Sequence, residues 1–297
     1  MRRRFLSLHA LAIGVHALCA AYAFGGGAHA EAAGTPIPTR LHRVRYGGAS
    51  PSYYESIQEW NVHLPSVVYI HGAVACVTAA FHALLYAPAH WAYGTVIWEQ
   101  GFFAPRWVEY GITCTMMSVS SLSSPGPTSL TSVASAVCGG AAMQAIGCAI
   151  EQRKETARFF LLVGGCINAG TSASTVWYVL TSTGASAPEV LEFAGYTFFY
   201  ALFPLNCALD ATERRGRFVR TDWLYNVLSL SSKLALFWLQ VGRVERKVMP
   251  GPGTDFRIYG LGIALPLLLL AVGVWWTPSS SSSPPRLPIP SSSTWLR

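Results

Sequence analysis

Leu228-Ser229-Leu230-Ser231-Ser232-Lys233-Leu234-Ala235-Leu236-Phe237-Trp238 is an apolar stretch with one ammonium in its middle. It lies within a longer run, 222–244, that reads as a membrane-spanning helix. Lys233 is about 11 residues from either end of that run, or roughly 16 Å at 1.5 Å rise per residue. Its side chain is too short to reach either headgroup layer. A lone charge at the bilayer centre costs about 2.5–3.5 kcal/mol on insertion scales. A carboxylate partner, a water-filled pore or covalent modification of the amine would each remove that cost. An ionisable residue at this depth is a functional candidate by default. The other two lysines, Lys154 and Lys247, sit in basic loop stretches.

The rest of the chain fits the same reading. Hydrophobic residues make up 52% of 297 positions and charged residues 12%, where an average soluble domain carries about 25% charge. This argues against a soluble globular enzyme, a disordered chain and a nucleic-acid binder. The formal net charge of +7 points to membrane topology or anionic lipid as partner, not nucleic acid. The seven cysteines lie in apolar stretches and none forms C-x-x-C, so they read as small packing groups, with no zinc site or disulfide framework.

About 20 apolar residues make one helical span. The hydropathy pattern predicts seven, at 5–24, 65–87, 104–123, 128–150, 156–181, 188–211 and 222–244. The fold class is therefore an all-α membrane protein, a seven-transmembrane-helix bundle. Residues 25–64 form a long first loop whose ends read as strands at 38–46 and 53–63, a β-hairpin turning at 47–52 on Gly and Pro. The connection 88–104 is aromatic, as at a membrane interface. A further apolar run, 258–276, reads as an extra C-terminal helix and candidate eighth span within 248–276, and 277–297 as a disordered Ser/Pro-rich tail. Residues 1–247 form the seven-helix domain. The basic start, the first apolar run and Ala28-His29-Ala30 also fit a cleaved signal peptide. That run is longer than an ordinary signal core, so a retained helix is expected.

Basic residues set orientation. With the N-terminus cytoplasmic, the inside segments hold Arg2, Arg3, Arg4, Arg106, Arg153, Lys154, Arg158, Arg214, Arg215, Arg217 and Arg220, whereas 124–127 and 182–187 hold none. The chain is expected to be a multi-pass integral membrane protein in contact with lipid, with the 25–64 loop extracellular.

Glu109, in Arg106-Trp107-Val108-Glu109-Tyr110, is the only carboxylate clearly within the third run and the natural partner for Lys233. A desolvated lysine loses its proton readily, and the neutral amine attacks an aldehyde. There is no nucleophile–base motif, metal-ligand cluster or Gly-rich phosphate loop, so no enzyme activity, catalytic residue or metal is expected.

Seven helices with a lysine in the middle of the last resemble a retinal protein. Arg106-Trp107-Val108-Glu109-Tyr110 and Leu228-Ser229-Leu230-Ser231-Ser232-Lys233, with Trp238 five residues on, are similar to two motifs of the heliorhodopsin family. The long first loop and cytoplasmic N-terminus match the same family, and the resemblance covers roughly 1–247. It implies all-trans retinal as cofactor, held by Lys233 as a protonated Schiff base with Glu109 as counterion. Ser229, one turn before the lysine, would hydrogen-bond the Schiff base or Glu109. His16 and His82 would line a polar cavity near it. Trp238 is the best candidate, among Trp107, Trp177, Tyr178, Phe199 and Tyr200, for stacking on the polyene. His9 and His71 read as ordinary core imidazoles. The resemblance also implies a homodimer. The run 258–276 is a departure from the family.

The function expected is light sensing, with signal passed to a cytoplasmic partner by helix rearrangement. The alternative is a light-gated or light-driven proton conductor using Glu192 as a relay; the plain reading of Glu189 and Glu192 is that they favour a helix N-terminus. Asp210 and Glu213 are expected to pair with the arginines at 214–220. A third reading dispenses with retinal: a scaffold or membrane enzyme with a structural Lys233–Glu109 pair.

Overall fold

The computed structural model describes residues 2–25, 37–46, 54–64, 66–92, 94–123, 128–153, 156–181, 187–211, 218–248 and 251–277. Helix α1 is Arg2–Phe24. Strands β1 (Ile37–Tyr46) and β2 (Tyr54–Leu64) pair antiparallel, Ile37 opposite Leu64 and Tyr46 opposite Tyr54, with an irregularity at Leu41/His42. The turn predicted between them lies outside the described residues.

Helix α2 runs over Val67–Ala92. Ser66 caps it, its Oγ accepting from the Tyr69 N–H, which satisfies one of the orphan donors of a first turn. The helix widens into a π turn at His82–Tyr86. Pro88 follows that turn and has no N–H with which to continue the ordinary ladder. The predicted second helix is thus too short. Residues 88–92 continue it, and a short helix α3 (Gly94–Gln100) forms much of the aromatic connection. Helix α4 is Ala104–Ser123. A two-residue strand β3 (Thr128–Ser129) adds to β1 in parallel.

Helices α5 (Leu130–Gln152), α6 (Ala157–Thr181) and α7 (Ala187–Ala211) follow, with Pro204 inside α7. Helix α8 is Phe218–Val248, the longest of the chain's described helices, and carries Lys233. The last helix, α9, begins at Pro252–Asp255, passes through a π segment at Phe256–Ala264 and ends in Leu265–Trp275.

Four described segments are long and apolar enough to cross a membrane: Arg2–Phe24, Val67–Ala92, Val133–Gln152 and Phe256–Trp275. Helix α8 is buried almost all round from Val219 to Glu245, because α9 lies along its outer side. Added Cβ atoms on Gly242, Gly262 and Gly273 would meet Ile258, Leu239 and Val227; glycines at such contacts let helix backbones approach closely. The Trp223 indole donates to the Gly273 carbonyl (2.9 Å), and Arg257 pairs with Glu245. The end of α9 therefore lies beside the start of α8. It also lies beside the start of α1, where the Arg4 guanidinium sits 5.5 Å from the Trp276 ring.

Candidate functional site

Lys233 and Glu109 meet. The Lys233 Nζ donates to Glu109 Oε1, and both residues are buried, at 3% and 0% exposure. Two buried charges persist only when paired and further hydrogen-bonded, and Glu109 has that support. Thr78 Oγ1 (2.9 Å) also donates to Oε1, and the Tyr86 hydroxyl (3.1 Å) donates to Oε2; the one Thr113 hydroxyl proton is shared between the Glu109 main-chain carbonyl (2.9 Å) and Oε1 (3.2 Å). Thr78 and Tyr86 come from α2, Thr113 from the next turn of α4. Tyr110, beside Glu109, places its ring 5.3 Å from Nζ.

Lys233 also lines a small apolar cavity with Tyr110, Cys114, Met117, Tyr196, Phe199, Tyr200, Phe203, Ser232 and Leu236. A larger, half-open pocket between α4, α5, α6, α7 and α8 shares Cys114, Tyr200 and Phe203 with it and is also lined by Trp107, Gly147 and Pro204. One primary amine thus opens onto an apolar, aromatic cavity that adjoins a larger apolar pocket. Those residues fit a polyene aldehyde, with the amine and carboxylate at one end and rings along its length.

Trp238 is not in this space. It packs on Tyr22 of α1 (ring centroids 4.9 Å) and on Phe237. Five residues on a helix turn about 500°, or about 140° from Lys233, so the two face different ways. Leu236, three residues on, faces the cavity instead. Phe199 and Tyr200 line the cavity beside Lys233 and Trp107 lines the larger pocket, whereas the side chains of Trp177 and Tyr178 lie outside the described residues. The Ser229 hydroxyl is buried without a hydrogen bond to Lys233 or Glu109. The side chains of Glu189, Glu192 and Asp210, and all of Glu213, are outside the described residues.

His16 and His82 are both buried, their rings 6.4 Å apart. The sequence reading missed their company. His9 Nδ1 lies 2.9 Å from His82 Nδ1, and the His9 ring stacks on His90 at 4.8 Å. His90 Nε2 lies 3.3 Å from Asp222. Spacing could have hinted at His9, which is seven residues, or two turns, from His16 on α1. Nothing local links either to His90.

Arg106 also needs correction. Counted above among the inside loop charges, it is 1% exposed and bridges Glu151 and Asp222, so it says nothing about sidedness. The Trp107 indole donates to Glu151 (2.8 Å) and the Trp98 indole to Asp222 (3.4 Å). A second buried polar cluster lies beyond Lys233, where Gln240 bonds His71 (2.7 Å), Ser120 and Ser121. It gives a structural place to the Ser-rich end of α4 and to His71.

A search of curated proteins finds no match. A family model described as Heliorhodopsin matches residues 35–244. That range takes in Lys233, Glu109 and the aromatic cavity, and leaves α1 and α9 outside. The chain belongs to the heliorhodopsin family, the retinal-based, light-responsive proteins of the membrane.

Proposed function

We propose that this protein is a light sensor in which all-trans retinal is linked to Lys233, with Glu109 as counterion. One observation carries the reading: a buried amine paired with a hydrogen-bonded carboxylate and lining an aromatic cavity. The chromophore supplies visible absorption and a light-driven change of shape.

The chain's own residues do the rest. Glu109 holds negative charge against Lys233 Nζ, and Thr78, Thr113 and Tyr86 hold Glu109. A proton leaving Nζ passes to Glu109 or to the imidazoles of His16, His82 and His9. The buried charge cluster of Arg106, Glu151 and Asp222 lies where α4 and α8 begin, and its mutual pairing favours sensing over conduction. Residues 1–247 are the retinal-binding unit, the N-terminus is cytoplasmic, and the Pro252–Trp275 segment is an eighth span that returns the chain to the side of the N-terminus. Signal passes to a cytoplasmic partner through rearrangement of α7 and α8, and the protein works as a homodimer.

The test is to add all-trans retinal to the expressed protein and to Lys233→Ala. Colour that appears in the first and not in the second supports the reading. A coloured, hydroxylamine-sensitive Lys233→Ala protein overturns it. Voltage clamp then separates sensing from proton conduction: a steady photocurrent reversing with the proton gradient defeats the sensor reading.

A further inference from the structure

We infer that Tyr86 is a positioning residue for the Glu109 carboxylate. Its hydroxyl fixes the oxygen turned away from Lys233 and thereby sets how strongly Glu109 balances the charge at Nζ. The inference rests on the reading of Glu109 as counterion.

The two oxygens of Glu109 are unequally served. Oε1 takes Lys233 and Thr78, and part of the Thr113 hydroxyl, which is shared with the Glu109 main-chain carbonyl. Among the described residues Oε2 takes one donor, Tyr86 at 3.1 Å. Hydrogen bonds to a carboxylate favour its charged form and draw its charge toward the donor. The Tyr86 bond therefore stabilises the anion while pulling its charge away from Nζ. The ring has little freedom to do otherwise. It is 2% exposed and wedged edge-on against His82 (4.8 Å), His9 (5.9 Å) and Phe103 (5.3 Å).

The backbone explains how it reaches. In a regular helix Tyr86 would lie eight residues from Thr78 and about 80° round the axis. Here the Ala87 N–H bonds the His82 carbonyl, five residues back, and the wider turn takes up part of that rotation. Two hydroxyls two turns apart on α2 then meet one carboxylate. Such single π turns recur at functional sites.

Several titratable or charged groups surround the pair. Lys233 faces Glu109 from α8, His82 and His16 face Lys233 from α2 and α1, Tyr110 and Cys114 face the pair from α4, and His9 of α1 and Arg106 of α4 face Tyr86. Tyr86→Phe alters none of these charges. It removes only the hydroxyl.

The experiment is an acid titration of the visible spectrum of retinal-loaded protein, comparing wild type with Tyr86→Phe. In the variant the midpoint of the acid-induced colour change rises by about one to two pH units, the equivalent of one hydrogen bond to a charged group. At neutral pH its absorption moves to shorter wavelength. Phe103→Leu, which removes packing from Tyr86 but no hydroxyl, keeps the wild-type midpoint. A coloured Tyr86→Phe protein with unchanged midpoint and spectrum overturns the inference, as does a Phe103→Leu protein with the same shift. If Tyr86→Phe takes up no chromophore, infrared spectroscopy of the chromophore-free protein decides. The Glu109 carboxylate band, identified by its loss in Glu109→Gln, shifts in Tyr86→Phe, and an unmoved band overturns the inference. A Glu109→Gln protein that keeps the wild-type acid transition would defeat the counterion reading instead, and the infrared band would still decide Tyr86.

Discussion

His9 Nδ1 and His82 Nδ1 lie 2.9 Å apart, so the first two membrane helices meet through a pair of imidazoles buried from all solvent. One ring must donate and the other accept. With His90 stacked on His9 and Asp222 beyond it, the pair joins the Lys233 region to the Arg106 end of the bundle. If it receives the proton from Lys233, His9→Phe should slow the transient loss of visible absorbance after a flash, while the dark spectrum changes little. Flash photolysis measures both.

Lys233 and Glu109 should be strongly coupled even without chromophore. Removing one partner leaves a buried charge alone, which costs about 3–5 kcal/mol. Lys233→Ala and Glu109→Gln should each lower thermal stability in detergent. The double variant should be more stable than the sum of the two predicts. A double-mutant cycle on the chromophore-free protein reads the coupling directly.

Arg106 ties α4 to α5 and α8 through two carboxylates. Arg106→Leu should destabilise by about 3–5 kcal/mol, because Glu151 and Asp222 would stay buried without their cation. Arg106→Lys should recover only part of that loss, since a single ammonium cannot reproduce a guanidinium held between two acceptors. Unfolding midpoints of the two variants test the order.

Gly147 makes room for the Trp107 ring: a Cβ there would collide with the ring atoms. Gly147→Val should push Trp107 into the apolar cavity and strain its bond to Glu151. The expected result is a loss of about 1–3 kcal/mol, the usual cost of overpacking, together with slower colour formation on adding retinal. A variant that forms pigment at the wild-type rate would show that the cavity near Gly147 is not on the binding path.

The contact of Trp276 with Arg4 and of Gly273 with Trp223 places the end of α9 at the N-terminal side of the bundle. Tags at the two termini should therefore respond alike to a membrane-impermeant protease in sealed vesicles. Opposite responses would remove α9 from the count of spans. Gly273→Val, whose first added carbon would collide with Val227, should loosen α9 without unfolding the remainder.

Hydropathy and a few polar exceptions were enough to place Lys233 mid-helix, to choose Glu109 as its partner and to bound α4 at 104–123. Each of these follows from a cost paid locally, because lipid demands apolar runs of a fixed length and an isolated charge inside one demands an opposite charge. Other features depend on how helices rotate about their axes and which faces meet. Hydropathy is blind to this, because a span is apolar on every side. Trp238 was misplaced for that reason. The Arg106–Glu151–Asp222 cluster was missed because its members, 45 and 116 positions apart, look like ordinary loop-end charges until packing removes their water. The widened turn that brings Tyr86 to Glu109 and the docking of α9 along α8 belong to the same class. The membrane's demand for apolar length is written in sequence, whereas the pairing of buried polar groups is settled only when the helices close around them.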